Sequence, residues 1–240
     1  MKLNFKSIVL MGSAVLVMAG CSNNSLTTKA VKLTTNSDSA SYALGILIGE
    51  NNKKNLESSP AGDKFNEDLL INGFVTTMKG EEGKITSEES QKIVQDFFKK
   101  VSEEESAKNE AEGKAFMEKN KTKEGIVTTE SGLQYKIITK GTGKVPTAEE
   151  TVECNYKGTT IDGNVFDSTE KHGGKPAQFK VGQVIPGWTE ALKMMPVGSK
   201  WELYIPGELA YGTRGAGKDI GPNSTLIFEV ELVSIVPDKK

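Results

Sequence analysis

The spacing of apolar residues changes once along the chain, near Gly125, and this change separates two kinds of fold. Before Gly125, apolar side chains recur every three or four residues, which is the period of an amphipathic helix. After it, apolar and polar residues alternate, as they do from Leu226 to Leu232, which is the period of a half-buried strand. The sequence therefore predicts an α+β protein, with an all-α N-terminal half and an antiparallel C-terminal half.

Three helices are predicted in the N-terminal half. The first begins after Asp38 or Ser39, the second opens near Asp63, and the third starts with a capping box formed by Thr86 and Glu89. The second half of the third helix, residues 102–119, is almost wholly charged, so we interpret it as a long solvent-exposed strut. A disordered linker is the alternative, because a glycine lies within this stretch.

The C-terminal half predicts a few strands around one short helix. Strand patterns occur at residues 151–156, 179–181, 201–205 and 225–236, and a helical pattern occupies residues 185–194. An antiparallel half-barrel wrapped on that helix is the expected architecture.

The N-terminus has the pattern of an export signal. A basic segment is followed by an apolar run that is too short to span a bilayer comfortably, and the run ends in Met18-Ala19-Gly20-Cys21. This ending resembles a bacterial lipobox and predicts a lipid-modified Cys21; an ordinary secretory signal with an incidental cysteine is the alternative. The polar residues that follow, up to residue 37, indicate a flexible tether.

Charge and composition exclude several classes of function. The net charge is −2 and the chain contains a single arginine, so no basic face for nucleic acid is expected. With one histidine and two cysteines, the sequence predicts neither a metal site nor a cofactor. Cys154 alternates with Val152 and Tyr156 along a strand and is interpreted as a buried, inert thiol, a reactive cysteine being the alternative.

Aromatic and apolar residues recur between glycine turns in the C-terminal half. They form the segments Tyr156, Phe166-Asp167-Ser168, Phe179, Val184-Ile185-Pro186-Gly187-Trp188, Ala210-Tyr211-Gly212, Ile220 and Phe228. In this order and spacing, the set resembles the FKBP-type peptidyl-prolyl cis-trans isomerase family. The helical half, with Tyr42-Ala43-Leu44-Gly45 near its start, resembles the N-terminal domain of the subfamily that includes the macrophage infectivity potentiator and FkpA-like periplasmic proteins.

The resemblance implies a role for each of these residues. Trp188 forms the floor under the proline ring, Tyr211 and the Ile185 backbone N–H donate hydrogen bonds to the substrate, and Asp167 orients polar groups at the pocket edge. The implied catalytic residues are Tyr156, Phe166, Asp167, Tyr211 and Phe228, and the implied substrate-binding residues are Phe179, Val184, Ile185, Trp188 and Ile220. Two positions depart from the family pattern: no arginine follows Asp167, where Lys171 or His172 is the candidate substitute, and Ala177 replaces an aromatic residue.

The residue patterns and this resemblance together predict a domain organisation and a set of partners. The expected segments are a lipoprotein signal peptide (1–20), a tether (21–37), a helical dimerisation domain (38–101), an exposed linking helix (102–124) and an isomerase domain (125–240). The expected partners are proline-containing polypeptides, inhibitory macrolides, a second copy of the chain and a membrane, with the outer membrane facing the periplasm favoured over the inner membrane. The alternative function is a lipid-anchored chaperone or interaction module with weak or lost isomerase activity.

Overall fold

The computed structural model describes residues 31–59 and 61–237, and it begins with three helices. Helix α1 spans Asn36–Glu57, α2 spans Glu67–Met78 and α3 spans Ser87–Asn120. The predicted capping box of α3 is present, with Thr86 and Glu89 each accepting a hydrogen bond from the other's backbone. Helix α2 begins four residues later than expected, because the Asn66 side chain caps it after a 3₁₀ turn. The predicted signal peptide and Cys21 lie outside the described residues.

Helix α3 is continuous through Gly113, so its charged half is helix rather than linker. The prediction that this half is exposed all round is wrong on one face. Gly113 and Asn120 are buried, and Glu105, Ser106, Asn109, Phe116 and Met117 are partly buried at helical spacing. Apart from Phe116 and Met117, this face is polar or small, and it packs on the C-terminal half of the chain. Within residues 31–59 and 61–237, no helix has both the length and the apolar character needed to cross a membrane.

The C-terminal half forms one antiparallel seven-stranded sheet. Its strands are β1 (Ile126–Thr128), β2 (Gln134–Thr139), β3 (Thr151–Thr160), β4 (Val165–Ser168), β5 (Ala177–Lys180), β6 (Lys200–Ile205) and β7 (Leu226–Val236). The order across the sheet is β1-β2-β6-β7-β3-β4, and β5 pairs with the start of β3 beside β4. Strand β7 alternates as predicted: Leu226, Phe228, Val230 and Leu232 are buried, whereas Glu229 and Glu231 are exposed.

One short helix, α4 (Pro186–Leu192), packs against the inner face of this sheet. Its buried residues include Trp188, Ala191 and Leu192, which join the buried side chains of β3, β6 and β7 in a single core. Pro186 occupies the first helical turn, where a missing N–H has no cost and the fixed φ favours the helix. The predicted half-barrel wrapped on one helix is confirmed, and its open side is where the site residues meet.

Candidate active site

The centre of the site is an aromatic cluster around Trp188. The indole is only 4% exposed and meets three rings edge-on, with centroid separations of 5.6 Å to Tyr156, 5.2 Å to Phe179 and 5.3 Å to Phe228. Edge-to-face contacts at these distances are the favourable geometry for aromatic pairs. Because the rings come from α4, β3, β5 and β7, the fold of the whole half-barrel holds the indole in place.

Phe166 extends this cluster along β4. Its ring lies 5.4 Å from that of Phe228, again edge-on. Both rings lie against Gly158 in β3, where an added β-carbon would come within 2.5 Å of Phe166 and 2.7 Å of Phe228. Glycine is therefore required at this point of the strand. Gly158 was not among the predicted site residues, although an isolated glycine within a strand signals such a close approach.

Asp167 is the hub of a polar network at the edge of the aromatic cluster. Its carboxylate accepts hydrogen bonds from the Tyr156 hydroxyl (2.7 Å), a His172 ring nitrogen (2.8 Å) and the Ser168 backbone N–H (2.9 Å). Partial burial raises the pKa of Asp167, but the hydrogen bonds from Tyr156 and His172 outweigh that effect, so its pKa lies below the usual value. The carboxylate is therefore charged at neutral pH.

Of the two candidate partners of Asp167, His172 contacts its carboxylate and Lys171 does not. The Lys171 ammonium instead donates to the backbone carbonyls of Val165 and Phe166, at 2.8 and 3.0 Å. Burial, and then the hydrogen bond to Asp167, raise the pKa of the Tyr156 hydroxyl well above its usual value. Tyr156 consequently keeps its proton and acts as a donor to Asp167.

The remaining predicted residues differ in how far they are buried. Val184 and Ile185 pack against the core at the start of α4, and Ile220 is buried in that core. The Ile185 N–H precedes the helix and has no acceptor among the residues that the structure describes. Tyr211 is 40% exposed, and burial, with a smaller effect from the charge of Asp167, raises the pKa of its hydroxyl. Ala177 lies in β5 opposite Cys154 and contributes no aromatic ring to the cluster.

Two family models match this chain. The model described as "FKBP-type peptidyl-prolyl cis-trans isomerase" matches residues 143–233, and the model described as "Domain amino terminal to FKBP-type peptidyl-prolyl isomerase" matches residues 37–137. These two matches correspond to the strand-rich half and the helical half.

Proteins with both halves are similar to this chain over most of its length. The "Outer membrane protein MIP" of Legionella longbeachae is 45% identical over 98% of each chain. The "FKBP-type 22 kDa peptidyl-prolyl cis-trans isomerase" of Escherichia coli (strain K12) is 41% identical over 82% of this chain and 94% of its own length. The crystal structure of FkpA from Escherichia coli has a TM-score of 0.60 at 38% identity and covers 87% of this chain and 100% of its own.

Proposed function

Because this chain belongs to the family of FKBP-type peptidyl-prolyl cis-trans isomerases and is itself such an enzyme, we propose that it rotates X-Pro bonds over Trp188. The observation that supports this location is the convergence of four aromatic rings and the charged Asp167 carboxylate on a single open side of the sheet. The substrates are X-Pro bonds in proteins that fold after export.

The chemistry needed is the stabilisation of a twisted bond. Resonance makes rotation about the C–N bond cost roughly 18–20 kcal/mol, and uncatalysed exchange takes tens to hundreds of seconds. Water favours the planar, more dipolar form of the bond. Contact of the proline with the aromatic cluster of Trp188, Tyr156, Phe179 and Phe228 removes that water, so the planar ground state loses more stabilisation than the twisted form. Lowering the barrier by about 6–7 kcal/mol gives roughly five decades of rate without a covalent intermediate.

The polar groups hold the twisted form in place. In this proposal the Ile185 N–H and the Tyr211 hydroxyl donate to substrate carbonyls, while Phe166 lies beside the rotating bond. Asp167, held by Tyr156 and His172, directs its negative field at the carbonyl carbon side of the bond. Because these groups are fixed before the substrate binds, they need no reorganisation during rotation.

The structure weakens one of the two arguments for the alternative function, a chaperone or interaction module whose isomerase activity is weak or lost. This alternative depended on the absence of an arginine after Asp167 and on Ala177. His172 hydrogen-bonds Asp167 in the absence of an arginine, which weakens the first of these two arguments.

The test is turnover of a prolyl peptide by the purified chain. Tyr211→Phe removes one hydrogen bond, so we expect a several-fold loss of kcat/KM, in line with about 0.5–1.5 kcal/mol for one bond. Asp167→Ala should cost at least as much, and macrolides that bind this family should compete with the peptide and change Trp188 emission. Tyr135→Phe is the matched control, since Tyr135 stacks on Trp201 away from the site. A folded Tyr211→Phe/Asp167→Ala double variant as active as the parent would show that the site is elsewhere.

We also propose that the chain is a lipid-anchored dimer in the bacterial cell envelope. The name of the Legionella longbeachae relative, an outer membrane protein, supports the envelope and the outer membrane. The Met18-Ala19-Gly20-Cys21 motif supports lipid modification. Cys21→Ala should leave an unprocessed or soluble protein; processing and membrane fractionation identical to the parent would refute the anchor.

A further inference from the structure

One face of helix α3 is hydrogen-bonded to the base of the loop that follows Tyr211. This loop, residues 212–222, is called the flap here, and it runs from Tyr211 past Ile220. The Asn109 side-chain amide donates to the Pro222 carbonyl at 2.9 Å and lies 3.4 Å from the Ser224 hydroxyl. The Asn223 amide in turn donates to the Ser106 hydroxyl at 2.8 Å. These bonds join residues more than 110 positions apart in the sequence.

Two glycines at this contact pack closely against side chains of the other element. An added β-carbon at Gly221 would come within 2.6 Å of the Glu105 carboxylate and 2.9 Å of the Asn109 amide nitrogen. A β-carbon at Gly113 would overlap the Thr225 side chain. Glycine therefore stands on both sides of the interface where the helix and the end of the flap approach most closely.

Asn223 connects this interface to the two ends of the flap. It has a φ of 54°, the single non-glycine residue with positive φ among residues 31–59 and 61–237. In this conformation its backbone N–H donates to the Gly212 carbonyl at 2.8 Å, which closes the flap immediately after Tyr211. Within the flap, Ala216 and Ile220 exchange two backbone hydrogen bonds. The Asn223 side chain is thus bonded to α3, while its backbone N–H is bonded to Gly212, the residue that follows Tyr211.

We propose that Ser106 and Asn109 of α3 are positioning residues for the isomerase reaction. They hold the base of the flap so that the Tyr211 hydroxyl and Ile220 keep their places at the site, although neither residue touches the substrate. A donor that must lie within a few tenths of an ångström of a twisting bond needs such a fixed support. This proposal rests on the proposed function, because it assumes that Tyr211 contacts the substrate.

The experiment uses the full chain with Ser106→Ala, Asn109→Ala and the double variant. Ser106→Ala removes one hydrogen bond at the flap base, and Asn109→Ala removes those to Pro222 and Ser224. We therefore expect amide exchange of residues 212–223 to accelerate about two- to ten-fold for each bond lost, the equilibrium factor of one net hydrogen bond. Exchange in β6 and β7 should not change. We expect kcat/KM for a prolyl peptide to fall several-fold in the double variant. Ser106→Thr keeps the hydroxyl and should retain the kcat/KM of the parent. Ser102→Ala, an exposed serine one turn earlier on α3, should match the parent in both measurements.

The two measurements distinguish a failure of this positioning role from a wrong assignment of the active site. Unchanged flap exchange and unchanged kcat/KM in the folded double variant would overturn it. Faster flap exchange with unchanged kcat/KM would also overturn it, because the interface would then be structural only. Because flap exchange is measured without substrate, it reports on the interface even if the parent proves inactive on prolyl peptides. If the double variant does not fold, Asn223→Gly provides the test: it permits the positive φ but removes the amide that reaches Ser106, and the same loss of kcat/KM is required.

Discussion

At the scale of single residues, His172 is the partner of Asp167 at a site where the family pattern has an arginine. His172→Ala removes one of the three donors to the carboxylate. Both side chains are substantially exposed, at 64% for His172 and 40% for Asp167, so solvent screens the pair and we expect only about a two- to five-fold loss of kcat/KM. His172→Arg keeps a donor and should retain the parent's activity. A loss in His172→Arg as large as that in His172→Ala would contradict this role.

The same variant has a predictable effect on acid stability. Hydrogen bonding lowers the pKa of Asp167 in the folded protein, so its contribution to stability is present above the ordinary value for an aspartate and is lost as the pH falls through the lowered folded pKa. In His172→Ala the Asp167 pKa should move up toward the ordinary value. An NMR titration of the Asp167 carboxyl carbon in both proteins measures this shift directly.

Cys154 should be chemically silent in the native protein. It is fully buried, and burial raises the pKa of its thiol to about 12, so almost no thiolate exists at pH 8. In a Cys21→Ser background, where Cys154 is the single cysteine of the chain, a thiol reagent should react only after denaturant is added. Labelling of the native protein within seconds would instead indicate a reactive site.

At the scale of elements, the sequence predicted those whose apolar period was strong and missed those fixed by close contacts. Strand β7 and the capped start of α3 were predictable because alternation and a capping box are local signals. Strand β3 continues to Thr160, beyond the predicted Tyr156, because its last residues pair with β4 and β7, and such pairing leaves no local signal in the sequence. The contact of His172, rather than Lys171, with Asp167 could not be predicted either, since the 3₁₀ turn Thr169–His172 determines which side chain reaches the carboxylate.

The docked face of α3 was missed for a related reason. Most of its contacts are hydrogen bonds and glycine packing, with Phe116 against Tyr204 as its aromatic contact, so it lacks the continuous apolar stripe that normally marks a buried helix face. Gly113→Ala tests the contact. In an exposed helix this change stabilises by up to about 1 kcal/mol, but here the new methyl meets Thr225, so we expect a net loss of about 1–3 kcal/mol, typical of overpacking. Adding Thr225→Ala should recover part of it, as measured by denaturant unfolding.

At the scale of the whole molecule, the N-terminal half buries too little of its own apolar surface. Phe65 packs on Phe97 and Phe98, with ring centroids 5.2 and 5.7 Å apart, yet α1 and α2 contain no buried residue. Large apolar side chains remain exposed on all three helices: Leu44 by 59%, Leu47 by 61%, Leu69 by 72%, Met78 by 68% and Ile93 by 52%. An apolar surface spread over three helices favours association, and a second copy of the same surface is its simplest partner.

We therefore predict that the chain is a dimer through residues of the segment 38–101. Light scattering at micromolar concentration should give about twice the mass of one chain. Leu69→Glu combined with Met78→Glu places two charges on the exposed apolar surface and should give a monomer, whereas Lys79→Glu, a charge change at an already polar position beside Met78, should remain dimeric. Turnover of a short prolyl peptide should be the same in all three proteins, because the aromatic cluster lies wholly in the C-terminal half. A parent protein that scatters as a monomer would exclude this assembly, and the exposed apolar faces of α1 and α2 would then require a different partner.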